Sequence, residues 1–172
     1  ARLAASGVRV RILTNALEAT DVSAVHSGYA RHRQALLRAG VELYEMRRGA
    51  TVPGRSGLMG SSGSSLHAKT FAIDGQRVFV GSMNFDPRSV RLNTELGFII
   101  DSPAMAQAVE RAFGREIPAA AYAVRLDGQG GLVWIERGEG GREIRHNREP
   151  GVGLGRSAWI GLLSLLPIEW LL

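Results

Sequence analysis

Two short apolar runs, residues 67–73 and 77–80, lie on either side of an Asp-Gly dipeptide at 74–75. This dipeptide favours the positive φ angles that close a tight turn between antiparallel strands. The pattern therefore predicts a β-hairpin. Because alternate residues of a strand project from one face, His67 and Lys69 are expected side by side on that hairpin.

The second run leads into a small polar loop that carries Ser82 and Asn84. Hairpin pairing brings this loop beside the start of the first strand, where His67 and Lys69 lie. An imidazole can attack phosphorus or carry a proton, and a cation with neutral hydrogen-bond donors can stabilise charge on phosphate oxygens. The cluster therefore indicates a site that holds a phosphodiester and transfers its phosphoryl centre.

Lys69 is the only lysine among the 21 basic residues of the chain, and all the others are arginine. An ammonium is a compact point charge, whereas a guanidinium is a broad planar fork. The lone lysine indicates a site that favours the compact cation; chance is the alternative interpretation.

The length, the absence of cysteine and the net charge exclude some classes of function but do not select one. The 172 residues suffice for one domain with a core, residues 1–172, and the absence of cysteine excludes disulfides and thiolate metal sites. The net charge of +5 suits nucleic acid, an anionic lipid surface or a phosphate substrate, and does not choose among them. A generic arginine-rich surface is an equally good interpretation of the charge.

Strand-like and helix-like segments alternate along the chain, which predicts an α/β domain with a mixed β-sheet flanked by helices. The expected strands are residues 8–13, 41–46, 67–73, 77–80, 95–100, 121–126 and 132–136; the expected helices are 21–39 and 103–115; and 47–65, 81–93 and 138–155 are expected to be loops.

Two segments allow two interpretations each. The Gly- and Ser-rich residues 47–65 are either a substrate-gating loop or a plain linker. The apolar segment 157–172 is too short to span a bilayer; it either closes the core or rests in a membrane surface. The missing initiator Met suggests a fragment of a longer protein.

The spacing of the polar residues resembles the His-x-Lys-x4-Asp motif of the phospholipase D superfamily. The matching positions are His67, Lys69, Asp74, Gly81, Ser82 and Asn84, followed by Arg88-Ser89 and Asn93-x-Glu95. Further segments look like the C-terminal half of bacterial cardiolipin synthases of the C-type branch. These segments are Thr14-Asn15, Ala19 to Val22, His26 to Tyr29, Gly40 to Glu45 and Leu166 to Leu172.

The resemblance implies one half of a pseudo-twofold fold and a cardiolipin synthase-like phosphatidyltransferase that uses a phosphohistidine intermediate, with no metal and no cofactor. Members of this family assemble one site from two motif copies, but this chain has one. The second copy is expected from a missing N-terminal half or from a second copy of the chain.

The resemblance and the chemistry of the side chains together assign roles. His67 is expected to protonate the leaving alcohol and then accept a proton from the incoming hydroxyl. Lys69 is expected to neutralise phosphate oxygens, with Ser82 and Asn84 donating hydrogen bonds to them. Glu95 is expected to accept a hydrogen bond from the His67 ring.

Other positions are assigned with alternatives. Asp74 belongs to the motif, but its place before a glycine indicates a structural role in the turn. Asn15, His26 and Tyr29 are candidates for head-group contacts, and the helix-face interpretation of His26 and Tyr29 is equally good.

Three functions therefore compete. The first is phosphatidyl transfer on anionic phospholipid at a bacterial membrane surface, with the protein peripheral on the cytoplasmic face of the inner membrane. The second is a single-motif phosphodiesterase or nuclease that works as a homodimer, and only this alternative involves nucleic acid. The third is a folded fragment that is silent because half of its site is absent.

Overall fold

A computed structural model describes residues 1–20, 23–50, 66–84, 86–151 and 153. The helices are α1 (Arg2–Ala5), α2 (Ser23–Ala30), α3 (Arg33–Arg38), α4 (Pro87–Arg91), α5 (Pro103–Arg111) and α6 (Ile117–Ala120). The strands are β1 (Arg11–Asn15), β2 (Glu42–Met46), β3 (Lys69–Ile73), β4 (Arg77–Gly81), β5 (Gly97–Asp101), β6 (Ala121–Leu126), β7 (Leu132–Arg137) and β8 (Glu143–His146). Short 3₁₀ turns occupy Leu17–Ala19 and Glu139–Gly141, and a π-helical segment spans Ala112–Glu116.

The strands form two sheets. The first has the order β1-β2-β6-β7-β8, in which β1 and β2 are parallel and the remaining neighbours are antiparallel. The second is the antiparallel meander β3-β4-β5. The predicted α/β class, with a mixed sheet flanked by helices, is confirmed, and the division into two sheets is an addition that periodicity did not indicate.

Both faces of the first sheet are covered. On one face Leu43, Val124 and Trp134 form a buried cluster against which Tyr29 and Leu37 of the α2–α3 layer pack. On the opposite face a second cluster joins the sheet to the segment that follows α5; its buried members are Tyr44, Ala112, Ile117 and Ala121. Adjacent residues of a strand face opposite ways, which explains why Leu43 and Tyr44 belong to different clusters.

Glycine ends α3, as the sequence predicted. Gly40 has φ 89°, and its N–H donates to the Leu37 carbonyl at 3.0 Å. The N–H of the buried Val41 donates to the Leu36 carbonyl at 3.1 Å. This pair of bonds is a Schellman motif, which satisfies the last carbonyls of the helix and turns the chain into β2.

The single helix expected over residues 21–39 is wrong, because α2 ends at Ala30 and α3 begins at Arg33; the cap assigned to Asp21 lies outside the described residues. Arg33 is buried, and its Nε lies 2.8 Å from the carboxylate of Glu45, which is also fully buried. Tyr29 and Trp134 donate to the same carboxylate, each at 2.9 Å. A buried ion pair of this kind leaves no trace in hydrophobic periodicity.

Two other boundaries also differ from the sequence prediction. The loop expected over 138–155 contains β8, an edge strand whose polar side chains hide it from a hydrophobic pattern. The helix expected over 103–115 is α-helical only to Arg111 and continues as the π-helical segment. Its start is as predicted, with Pro103 in the first turn and the Ser102 hydroxyl accepting from the Met105 N–H.

Candidate active site

The hairpin that carries the motif forms at the predicted turn. Asp74 and Gly75 both have positive φ, 51° and 64°, and the Gln76 N–H donates to the Ile73 carbonyl at 3.0 Å. Positive φ at both central residues is the requirement of a type I′ turn, whose twist matches that of paired strands. The turn sets the register that places Lys69 opposite Gly81.

Lys69 begins a row that continues across the sheet through Gly81 to Gly97. Neither neighbour has a side chain, and the Phe79 ring fills the space above them. A Cβ added at Gly81 or Gly97 would lie 2.6 or 2.3 Å from that ring. Phe79 in turn stacks on Phe71, with ring centroids 4.7 Å apart. Lys69, the candidate cation, therefore lies beside the stacked Phe71 and Phe79 rings. This stack fits over the sheet only because positions 81 and 97 are glycine.

His67 is exposed and lies two residues before the strand. The Lys69 ammonium donates to the His67 carbonyl at 3.0 Å, which links the two residues through the backbone. Partial burial lowers the pKa of Lys69, and the negative charge of Glu95 opposes that shift. The expected proximity of His67 and Lys69 therefore arises from this contact and not from two positions of one strand.

Ser82 and Glu95 form the centre of a hydrogen-bonded cluster. The Ser82 hydroxyl lies 2.5 Å from the Glu95 carboxylate and accepts from the Leu96 N–H at 3.0 Å. Asn93 donates to the other carboxylate oxygen at 3.3 Å. The hydrogen bond from Ser82, a further one from Asn93 and the charge of Lys69 hold the pKa of Glu95 below its usual range.

The Glu95 carboxylate accepts from Ser82 and Asn93 in this structure. The further hydrogen bond expected from the His67 ring stays a prediction. Glu95 precedes β5 and lies beside the end of β4, and its negative charge acts on Lys69 at the start of β3.

Asp74 does not join this cluster. It lies at the turn, five residues along the strand from Lys69, a distance of about 16 Å at the usual rise of 3.3 Å per residue. The structure therefore separates Asp74 from the other motif residues and gives it the turn position that the Asp-Gly dipeptide indicated.

The loop after β4 places Asn84 at the edge of the sheet where Lys69 and Ser82 lie, and its side chain is exposed. This loop contains α4, which was not predicted from the sequence. Asp86 caps that helix by accepting from the Ser89 N–H at 2.7 Å and from its hydroxyl at 3.1 Å. The spacing Asp-Pro-x-Ser, with proline at the first helical position, was the available signal.

Asn15, His26 and Tyr29 do not form a shared head-group site. His26 is buried against Glu149 at 2.8 Å, and Tyr29 donates to Glu45, so both belong to the core network. Asn15 lies near the motif, and its amide group bonds twice to the backbone of Leu66, the residue before His67.

Two general properties of the described ranges bear on function. They contain no group of three or more His, Asp or Glu side chains placed to hold a metal ion. None of the helices in these ranges is long and apolar enough to cross a bilayer. The apolar segment 157–172 and most of the loop 47–65 lie outside the described residues.

The fold and the motif define a class that sequence comparison identifies directly. The family described as "Cardiolipin synthase, PLD-like domain" matches residues 1–117. The chain belongs to this family.

Particular relatives extend the match. Cardiolipin synthase C of Escherichia coli (strain K12) is 48% identical over 175 aligned residues, which cover 99% of this chain and 37% of that protein. A cardiolipin synthase of Listeria welshimeri is 44% identical over 52 residues, 30% of this chain and 11% of that protein. The chain therefore spans little more than a third of the E. coli relative's length.

Proposed function

We propose that this chain is the C-terminal catalytic half of a cardiolipin synthase-like phosphatidyltransferase. The observation that carries the proposal is its 48% identity, over 99% of its length, to a cardiolipin synthase. The clustering of Lys69, Ser82 and Glu95 at one edge of the second sheet, beside the backbone of His67, supports it.

The proposed reaction has two displacements at phosphorus. A second imidazole attacks the phosphodiester, a P–N bond forms, the P–O bond to the alcohol breaks, and His67 gives its proton to the leaving oxygen. His67 then takes the proton of an incoming lipid hydroxyl, whose oxygen forms a new P–O bond as the P–N bond breaks. Covalent catalysis of this kind divides one difficult displacement into two easier ones.

Lys69 and the neutral side chains stabilise the charge that builds on the phosphate oxygens during both displacements. Asn84 is exposed at the same sheet edge and would donate to such an oxygen. The Ser82 hydroxyl has one proton, which it shares with Glu95. Ser82 therefore donates to phosphate only when the bond to Glu95 exchanges, and Glu95 holds the hydroxyl in place until then.

The second imidazole comes, in this proposal, from the remainder of a longer protein. The E. coli relative is nearly three times as long as the part that this chain matches, which supports this source. Exposed apolar side chains on and beside the second sheet also support it, because the remainder of a longer protein could pack against them. These side chains are Leu92, Leu96, Phe98 and Ile99.

The proposed location is the cytoplasmic face of a bacterial inner membrane, with the protein bound peripherally to anionic lipid. The net charge of +5 supports this location, because a basic protein is attracted to an anionic surface.

The test is to incubate the complete protein, with EDTA present, with vesicles of phosphatidylglycerol and phosphatidylethanolamine and to identify products by mass spectrometry. We expect cardiolipin to form and the chelator to have no effect. Loss of activity that a divalent ion restores would contradict the proposed chemistry. Phosphatidic acid without cardiolipin would make the protein a hydrolase.

A single-motif phosphodiesterase or nuclease acting as a homodimer is the second candidate. The single motif and the basic charge favour it. Incubation of the same protein with single-stranded DNA, together with its mass in solution, separates the two functions. DNA cleavage by a dimer that makes no lipid product would replace the transferase proposal, and a folded but inactive monomer would indicate a silent fragment.

A further inference from the structure

The backbone of His67 lies between two fixed points. Strand pairing begins at Lys69, which is opposite Gly81, so the ladder holds neither His67 nor Ala68. On the other side, Leu66 is held by a side chain from a different sheet. The Asn15 amide donates to the Leu66 carbonyl at 2.9 Å, and its oxygen accepts from the Leu66 N–H at 2.8 Å.

Asn15 is itself well anchored. It is the last residue of β1 and pairs with Met46 in the parallel ladder, where the next N–H, that of Ala16, donates to the Met46 carbonyl at 3.0 Å. Ala16 is buried in the main core cluster. The Asn15 side chain therefore connects the first sheet to Leu66, three residues before the first strand of the second sheet.

The two bonds imitate a β-bridge. A carboxamide presents one donor and one acceptor, the same pair that a backbone peptide presents, so it can satisfy both polar groups of one residue. Two bonds in opposite directions fix both the position and the orientation of the Leu66 peptide. Only two backbone positions, His67 and Ala68, lie between this restraint and the start of the ladder at Lys69.

We infer that Asn15 is a positioning residue for the candidate active site, which it serves by fixing the Leu66 backbone and so the placement of His67 relative to Lys69. This role replaces the head-group contact considered for Asn15, because both ends of its amide are engaged by Leu66. The inference rests on the proposed function only in giving His67 a chemical task; the backbone restraint is independent of it.

The experiment uses the complete enzyme with Asn15→Ala, Asn15→Asp and Gln34→Ala. Asp keeps an oxygen for the Leu66 N–H but loses the donor to the Leu66 carbonyl. Gln34→Ala is the matched control, since it removes an amide-to-carbonyl bond of 3.3 Å that joins α3 to Gly130, away from the motif.

The first measurement is cardiolipin formation at varied lipid concentration. A misplaced catalytic group lowers turnover by up to about 100-fold when displaced by about 1 Å, so Asn15→Ala should lower kcat by about 10- to 100-fold with KM changed less than about twofold. Gln34→Ala should leave both constants unchanged. An increase in KM alone would show a substrate contact, and unchanged kinetics would overturn the inference.

The second measurement is hydrogen exchange, by mass spectrometry, of a peptide that spans residues 64–70. Loss of one hydrogen bond corresponds to roughly 3- to 10-fold faster exchange at the Leu66 amide. Asn15→Ala should show this acceleration, and Asn15→Asp should retain the protection while still losing turnover. Unaltered exchange in Asn15→Ala would overturn the inference even if the enzyme made no cardiolipin, whereas lipid inactivity of the unmodified enzyme would count against the proposed function alone.

Discussion

The two sheets of this molecule bury their apolar side chains to very different extents. In the first sheet Leu43 and Val124 are fully buried on the face covered by α2 and α3, and a second buried cluster covers the opposite face. In the second, Phe98 and Ile99 are 62% and 72% exposed, and α5 packs against β3 and β4. Burial of apolar surface is the main stabilising contribution to folding, so the first sheet carries most of it.

The motif lies in the less buried sheet. Lys69, Ser82 and Glu95 are held by local means, which are a type I′ turn, glycine neighbours and a serine–glutamate hydrogen bond. Most of the buried apolar surface and the candidate chemistry therefore lie in different sheets, and substitution of an exposed motif residue should lower activity with little effect on stability.

The largest effect is expected on activity alone. His67→Ala in the complete enzyme should reduce phosphatidyl transfer by about 10²- to 10⁴-fold, the usual contribution of a proton-transfer group. Lys69→Ala should reduce it by about 10²- to 10³-fold, the usual contribution of a group that stabilises transition-state charge. Because His67 is exposed, His67→Ala should change the free energy of unfolding by less than about 0.5 kcal/mol. Arg77→Ala, an exposed change at the far end of the same hairpin, is the control and should remain active. Normal turnover by His67→Ala would remove the site assignment.

The next effect is expected on stability alone. Arg33→Met leaves the carboxylate of Glu45 buried without its counter-charge, and such a change costs about 3–5 kcal/mol of unfolding free energy. Arg9→Met breaks an exposed pair with Glu42 and should cost less than about 1 kcal/mol. Denaturant titration of both variants measures the contrast. Equal losses would mean that burial does not distinguish the two ion pairs.

Acid should weaken the same network. Burial raises the pKa of Glu149, but hydrogen bonds from His26 and Arg33 and the Arg33 charge outweigh it and lower the pKa to about 2. An unfolded glutamate titrates near pH ~4.3, so this contribution is complete above that pH and lost as pH falls toward 2.

The expected acid loss from Glu149 is about 3 kcal/mol between the two pKa values. The free energy of unfolding, measured over that range for the original protein and for Glu149→Gln, should decline more steeply in the original protein. Parallel curves for the two proteins would show that the network does not contribute to the acid response.

The smallest predicted change is a loss of stability in the second sheet. Gly97→Ala places a methyl group 2.3 Å from the Phe79 ring, and relief of such overpacking costs about 1–3 kcal/mol. Gly138→Ala is the matched control, because its nearest atoms are 3.5 Å away. Thermal unfolding of both variants tests the requirement for glycine against the Phe79 ring, and equal midpoints would contradict it.

Local chemistry made much of the fold predictable. The hairpins 67–80 and 121–136, the glycine end of α3 and the start of α5 depend on turn and capping residues that are adjacent in sequence. The break between α2 and α3 and the edge strand β8 were not predicted: α3 begins at Arg33, which is buried and ion-paired, and β8 is held by pairing with β7. Neither interaction produces a hydrophobic period.

The α/β class, the motif and the tight turn at Asp74-Gly75 could be read from the chain alone, because each follows from residue types at short, fixed spacing. Which groups meet in space depends on tertiary packing. Strand order and packing paired Glu95 with Ser82 and brought Asn15 to Leu66 across 51 residues. Contacts between distant segments depend on strand order and sheet packing, which local spacing does not specify.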